Sequence, residues 1–148
     1  MSRALILLFL TALGCAGKRA NLRAEPKEEE LLSDSARLYW EGVRWGDADK
    51  AAAFVENPDK RLVYKFWFTD QTDNHRYVDV TILQVTLDPE PAEPSKADHL
   101  RTAKVFVHTE GYDLPAQILR KETITQGWYR SLSGWWVEWE PPDEGAEP

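Results

Sequence analysis

The chain has 148 residues, and its 25 Asp and Glu outnumber its 18 Lys and Arg, which gives a formal net charge of −7. This acidic balance argues against nucleic acid as a partner and against electrostatic binding to anionic lipid. Cys15 is the only cysteine, so no disulfide within the chain and no cysteine-based metal site is expected. The length suits one small domain.

The first fifteen residues have the layout of a secretory signal peptide. Arg3 supplies a positive charge, residues 4–13 form an apolar run, and a small residue precedes Cys15. A run of this length is too short to span a bilayer comfortably as a mature helix. The ending TALGC, residues 11–15, resembles the lipobox of bacterial lipoproteins, with Ala12 where that pattern prefers Leu.

The lipobox resemblance implies that residues 1–14 are a lipoprotein signal peptide and that Cys15 becomes lipidated on its thiol and its new amino terminus. Each methylene of a palmitate-like acyl chain that enters the bilayer would contribute about 0.8 kcal/mol, so several chains give stable anchoring. Ala16, where an Asp would suggest inner-membrane retention, favours the outer membrane facing the periplasm. An ordinary signal peptide or a misassigned start codon stays open as an alternative.

Residues 15–29 are predicted to be the lipidated cysteine and a flexible tether, because this stretch has almost no large apolar side chain. A helix is predicted from near Pro26, with Glu28–Glu30 at the positive end of its dipole. Gly46 ends it. The residues at helical spacing that would share its buried stripe are Leu31, Leu32, Ala36, Tyr39, Trp40 and Val43.

Two shorter helices are expected next. Asp47 resembles an N-cap for a helix over Ala48–Val55. Residues 60–68 (KRLVYKFWF) alternate as a strand would but also fit a helix face, and we favour a helix that Asp59 could cap. Residues 70–74 (DQTDN) are predicted to form a turn.

A run of strands follows. Their predicted ranges are Tyr77–Leu87, Ala103–Tyr112, Ile118–Tyr129 and Trp135–Trp139. In the first, apolar residues change parity after Ile82, which indicates a β-bulge or a sharp bend. Residues 88–98 contain three prolines and several acids and are predicted to be a loop. Residues 141–148 are predicted to be an acidic, disordered tail.

Helices followed by adjacent strands predict an α+β domain over residues 30–140, in which N-terminal helices pack on a bent antiparallel sheet of about four strands. This domain resembles the NTF2-like superfamily, also described as SnoaL-like or as a cystatin-like cone. The segment ARLYWEGVRWGD (residues 36–47) matches that superfamily's A-x-x-Y-W-x-x-x-x-x-G-D pattern. Gln126-Gly127-Trp128 and Gly134-Trp135-Trp136 match its closing strands.

The matching residues are hydrophobic and turn residues, so the resemblance implies a fold and not a chemistry. The superfamily hosts isomerases, dehydratases, transport factors and secretion-system scaffolds, and fold alone does not carry function. The chain looks like one of the small Gram-negative lipoproteins of unassigned function that contain such a domain. No cofactor follows from the resemblance.

Four residues are candidates for an isomerase-like site, which needs a carboxylate base near an apolar wall and a donor for a developing oxyanion. They are Tyr39, Asp79, His108 and Glu122. Strand parity places Asp79 and His108 opposite the apolar face, and a structural or solvated role suits all four better, so no catalytic residue is assigned. The three histidines lie apart with no HExxH motif, so no metal site is predicted.

Aromatic residues crowd the last two strands, and some of their indoles are expected to be exposed. The predicted contact residues for a ligand or partner are Trp128, Trp135, Trp136 and Trp139. The alternative for these side chains is core packing on one face of the sheet and helix packing or an edge cover on the other. The predicted function is that of a non-catalytic, membrane-anchored envelope lipoprotein that binds an envelope protein or an apolar ligand, or forms a homodimeric scaffold. The alternative is a small-molecule isomerase or lyase that uses the cone's pocket.

Overall fold

The computed structural model describes residues 27–93 and 99–142. The predicted signal peptide, the lipidated Cys15, the tether up to residue 26 and the tail from residue 143 lie outside these ranges, so those predictions stay predictions. The elements in chain order are α1 (Glu28–Trp45), α2 (Ala48–Ala52), α3 (Pro58–Asn74), β1 (His75–Leu87), β2 (Arg101–Asp113), β3 (Ile118–Ser131) and β4 (Gly134–Val137). In the described ranges, no helix has the length and apolar character needed to cross a membrane.

Helix α1 buries one stripe, as its helical spacing predicts. The buried side chains are Leu32, Ala36, Tyr39, Trp40 and Val43, whereas Leu31, also predicted for this stripe, is exposed. Gly46 ends the helix in the left-handed conformation, at a φ of 68°. The amide of Asp47 then donates to the Gly42 carbonyl at 2.9 Å and turns the chain into α2.

The beginning of α1 is fixed to the sheet by an ion-pair cluster. The Glu28 carboxylate accepts hydrogen bonds from Arg101 on β2, at 2.5 Å, and from Arg130 on β3. Burial alone would raise the pKa of Glu28, but the two guanidinium groups outweigh it and lower that pKa. The first turn of α1 is thereby held against β2 and β3.

Helices α2 and α3 differ from the predicted ranges. Asp47 caps α2 as predicted, because its side chain accepts from the Lys50 amide at 3.0 Å, but α2 ends at Ala52. The favoured helix over residues 60–68 is present within α3, although Asn57 and not Asp59 caps it. The predicted turn over residues 70–74 is wrong: this polar segment contains no Gly or Pro, so α3 continues to Asn74.

The four strands form one antiparallel sheet in the order β1-β2-β3-β4. Strand β1 has two register shifts, and the one between Ile82 and Gln84 confirms the bulge predicted from the parity change. The other, between Tyr77 and Asp79, was not predicted. It turns Val78 to solvent, so Val78 does not share a buried face with Val80 and Ile82 as the alternation suggested.

The core lies on one side of the sheet, which we call the inner face. On β2 the inner face consists of Ala103, Val105, Val107, Thr109 and Gly111, all of them buried. The helices pack on this face, and the carbonyl of Phe54, after α2, accepts a hydrogen bond from the Val137 amide at 2.9 Å. Near the end of α3 the inner face is not fully covered, and this uncovered part positions the site described below.

Gly42 provides a test of the packing between α1 and α2. A Cβ at this position would lie 2.9 Å from the Ala51 backbone nitrogen, closer than real Cβ contacts allow. Helix propensity predicts that Gly42→Ala stabilises the protein by about 0.5–1 kcal/mol. The close approach predicts the opposite sign, a destabilisation of about 1–3 kcal/mol. Urea denaturation measures the difference, and a gain in stability would contradict the described contact.

Candidate ligand-binding cavity

A cavity of about 650 Å³ lies between α1, α3 and the inner face of the sheet. We call it the cone cavity. Its aromatic lining consists of Tyr39, Trp40, Tyr64, Trp67, Phe68, Tyr77 and Trp139. Small-molecule sites have volumes of about 300–1,000 Å³ and mostly apolar walls with a few placed polar groups. The cone cavity has the size and composition of such a site.

The aromatic walls are held by contacts between their own rings. Trp139 meets Tyr64 edge to face, with ring centroids 5.1 Å apart, and its centroid lies 5.9 Å from that of Trp67. On the other side, Trp40 and Tyr77 meet edge to face at 6.0 Å. Edge-to-face pairs of this kind add stability beyond the area that they bury. The walls are therefore ordered before any ligand enters.

Three tyrosine hydroxyls supply polar groups to the cavity. The hydroxyls of Tyr39 and Tyr64 are 2.9 Å apart, so one donates to the other. Burial raises the pKa of both phenols. The pKa of Tyr77 is raised to about 12, mainly by burial and to a smaller extent by the nearby Glu122 carboxylate and Tyr39. All three groups therefore stay neutral at physiological pH.

The rim of the cavity carries a hydrogen-bonded set of charged and titratable side chains. His75 Nδ1 lies 2.8 Å from Asp113 Oδ1, and Arg120 Nε donates to the other oxygen of the same carboxylate. The hydrogen bond with His75, and then that with Arg120, holds the pKa of Asp113 below its usual value of 3.8. Gly111 leaves room for the imidazole, because a Cβ there would lie 2.3 Å from His75 Nε2.

Besides Asp113 of the rim and Glu138, whose side chain lies over Gly127, the lining contains one further carboxylate, the exposed Glu122. It stands opposite the buried Thr109 in the β2–β3 register and lies two residues before Ile124, which packs against the core. It makes no hydrogen bond or ion pair with the described residues, and its negative charge helps to raise the pKa of Tyr77. Glu122 therefore presents an uncompensated negative charge to the cavity.

The four tryptophans predicted as contact residues occupy different environments. Trp128 and Trp135 are buried in the core, at 1% and 5% exposure, and the Trp135 indole nitrogen has no partner among the described residues. Trp136 lies on the other face, half-buried, where its indole donates to Ser131 Oγ at 2.9 Å and Arg61 approaches its ring. Trp139 lines the cone cavity. A contact role thus has to depend on Trp136 and Trp139, and it stays a prediction.

Two of the four weighed catalytic candidates, Tyr39 and Glu122, line the cavity. Asp79 and His108 do not: Asp79 is exposed beside Thr81, and His108 lies 3.6 Å from Glu110 on the outer side. Within the residues that the structure describes, no three His, Cys, Asp or Glu side chains converge as a metal site requires.

Sequence reasoning missed the rim set of His75, Asp113 and Arg120. The predicted strand begins at Tyr77 and leaves His75 outside it, yet His75 is the first residue of β1 and pairs directly with Asp113, the last residue of β2. The signal that could have found the pair was a polar residue at each of two adjoining strand ends. Using it requires the strand register, which two bulges in β1 make unreadable from alternation alone.

Comparison with known proteins supports the fold. No protein-family model and no curated protein matches the chain. One similar solved structure is a ketosteroid isomerase-like protein from Erwinia carotovora atroseptica, with a TM-score of 0.54, 8% identity, and coverage of 76% of this chain and 92% of that one. Another is a SEC-C motif containing protein from Rhodopseudomonas palustris, with a TM-score of 0.51, 9% identity, and coverage of 74% and 77%.

The fold is NTF2-like. The α+β class predicted from the sequence, with helices before a four-stranded antiparallel sheet, is confirmed. At identities below a tenth the likeness concerns the fold alone. The chemistry of the cone cavity therefore has to be argued from its own residues.

The rim makes a testable electrostatic prediction. We expect His75→Phe to raise the pKa of Asp113 toward its usual value, because the hydrogen bond with His75 is the largest cause of the lowering. A carboxyl group whose pKa is lower in the folded state stabilises the fold at pH values above its unfolded-state pKa, and this stability is lost as the pH falls through its folded-state pKa. The variant lacks this contribution, so it should lose less stability on acidification. Carboxyl NMR titration and unfolding at several pH values measure both.

His108→Phe is the matched control. His108 also lies beside a carboxylate, that of Glu110, but on the outer side of the sheet. This variant should leave the Asp113 titration unchanged. Equal titration curves for Asp113 in the wild type and in His75→Phe would show that His75 does not stabilise the ionised carboxylate.

Proposed function

We propose that the chain is a membrane-anchored envelope lipoprotein whose NTF2-like domain binds a small molecule in the cone cavity without transforming it. The observation that carries the binding proposal is the cavity itself, about 650 Å³, with aromatic walls whose rings contact one another and with polar side chains beside them. A cavity filled by core side chains would have left the domain only its outer surfaces for recognition.

The polar groups of the cavity are better suited to binding a ligand than to transferring a proton to or from it. A carboxylate base that works near neutral pH needs a raised pKa, which burial or a like charge supplies. Asp113 has a lowered pKa, because His75 and Arg120 both hold its charged form. The Tyr39 and Tyr64 hydroxyls are engaged with each other. These groups can orient a bound molecule through hydrogen bonds while leaving its bonds intact.

An isomerase or lyase is the second candidate, and one observation favours it. His75 uses Nδ1 toward Asp113. A carboxylate that fixes one ring nitrogen sets the tautomer of a histidine and leaves the other nitrogen to move a proton. His75 would then be the base and Asp113 its positioning residue. Solvent-deuterium exchange into a bound carbon acid, lost in His75→Phe, would favour this candidate over passive binding.

The membrane anchor is supported by the sequence features of residues 1–15. A positive charge, an apolar run, a small residue and Cys15 follow one another in lipoprotein order. Twelve residues lie between Cys15 and the start of α1 at Glu28, and such a segment spans at most about 45 Å. The anchor would therefore keep the cavity close to the bilayer surface.

Acylation of Cys15 is tested directly by intact mass and detergent partitioning of protein expressed in a Gram-negative host. We expect the wild type to gain the mass of acyl chains and to enter the detergent phase. Cys15→Ser should lack this mass and partition into the aqueous phase. A wild type that carries no acyl mass would refute the lipoprotein proposal, whatever the cavity binds.

Ligand binding by the cavity is tested with the full-length Cys15→Ser protein. A panel of small neutral, anionic and cationic aromatic or branched compounds is titrated while backbone amide NMR signals are followed. We expect at least one class to shift signals of cavity-lining residues at millimolar concentration or below. Thr72→Trp, which places an indole in the cavity, should abolish these shifts.

Thr69→Trp is the control, because Thr69 lies on the same helix but is exposed and outside the lining. It should bind as the wild type does. Absence of cavity shifts with every compound class, in a wild type that melts cooperatively, would refute the binding proposal.

A further inference from the structure

Glu122 lines the cone cavity and no described residue compensates its charge, whereas the other unpaired lining carboxylate, Glu138, directs its side chain over Gly127. Glu122 faces the inner side of the sheet with neither a hydrogen bond nor an ion pair to the described residues. Its neighbour Tyr77 has a neutral phenol, so it can donate a hydrogen bond but cannot cancel the charge. Glu122 is exposed to solvent in the empty domain, and a cation held beside it would gain a Coulombic attraction that strengthens as the ligand displaces water.

Among the described residues of the lining, Arg120 is the only one with a guanidinium group, and that group is already engaged. Arg120 donates to Asp113, and the same carboxylate holds His75. An anionic ligand would therefore meet an arginine whose charge is compensated, and would also face Glu122. The electrostatics of the described lining favour a positive ligand over a negative one.

The walls fit the same ligand class. The faces of Trp and Tyr rings carry partial negative charge and attract organic cations, Trp most strongly. Trp67 and Trp139 are inclined by 51° to each other, and Tyr64 stands nearly perpendicular to Trp139, at 83°. Tyr64 is fully buried behind the two indoles, whereas Trp67 and Trp139 are partly exposed, so the two indoles form a corner that a compact cation can approach.

We infer that the cone cavity takes a small organic cation, such as an alkylammonium, with the aromatic corner of Trp67 and Trp139 against its cationic group and Glu122 as counter-ion. This inference rests on the proposed binding function and adds its ligand class. A neutral ligand of equal shape would fill the same space but would lack the electrostatic attraction to the ring faces and to the Glu122 carboxylate.

The test compares two isosteric probes, choline and 3,3-dimethylbutan-1-ol. Choline has a positively charged quaternary nitrogen at the position where the alcohol has an uncharged carbon. Their dissociation constants are measured by NMR titration on the full-length Cys15→Ser protein. We expect the wild type to prefer choline by about tenfold or more at low ionic strength. Added salt should reduce the preference because it screens the Glu122 charge.

Glu122→Gln removes the counter-ion but keeps the shape. It should lower the affinity for choline by about tenfold and leave the affinity for the alcohol unchanged. Glu110→Gln is the matched control, since Glu110 lies on the neighbouring strand and pairs with Lys121 on the outer side. It loses the same charge and should retain the preference for choline. Thermal melting of each variant checks that it is folded.

The outcomes separate this inference from the binding proposal. Equal affinity of the wild type for both probes, or a preference for choline that Glu122→Gln leaves intact, overturns the cation inference. Failure of both probes overturns it as well. Cavity shifts with neutral or anionic compounds in the wider panel would then still support binding, whereas none with any class would remove both proposals.

Discussion

The position of α1 on the sheet depends on one side-chain amide. The Gln126 Oε1 atom accepts hydrogen bonds from the indoles of Trp40 on α1 and Trp128 on β3, each at 3.0 Å. A buried donor that loses its partner costs about 1–3 kcal/mol, so the two indoles together fix the helix at one depth and one rotation. That rotation brings Tyr39 onto Trp128, edge to face at 5.8 Å.

Because α1 is fixed there, the segment after α2 and then α3 have to close the rest of the inner face, and they do so only in part. Tyr64 and Phe68 reach the core, whereas the last turns of α3 run past the ends of β1 and β2. The amide of Leu114, after β2, donates to the Asn74 carbonyl at 2.8 Å and keeps these turns at the sheet. The cone cavity is the space that this geometry leaves. Contacts between the aromatic rings of its walls hold those rings in place and keep the cavity open.

The sequence predicts the parts of the fold in which a single periodicity decides the structure. Helix α1, with its one-sided stripe and Gly46, and β2, with its clean alternation, are readable from residue type. The end of α3 is not, because its polar residues suit a turn or a helix equally and tertiary contacts decide between them. The rim pair of His75 and Asp113 is hidden for another reason. Two bulges in β1 set the register that joins them, and alternation shows only that a bulge exists.

The charges around the cavity also explain why its ligand class depends on one residue. In the rim set, the charge of Asp113 is compensated by Arg120, and Asp113 also forms a hydrogen bond with His75. These groups therefore shape the cavity and offer it hydrogen-bond donors, but they contribute little net electrostatic field. The chain as a whole carries a net charge of −7, which already favours the approach of cations over anions. Glu122 continues this bias into the cavity, and although it is exposed in the empty domain, a bound ligand would displace part of the water that screens it. Selectivity for charge would therefore arise where the aromatic corner and Glu122 act on the same ligand.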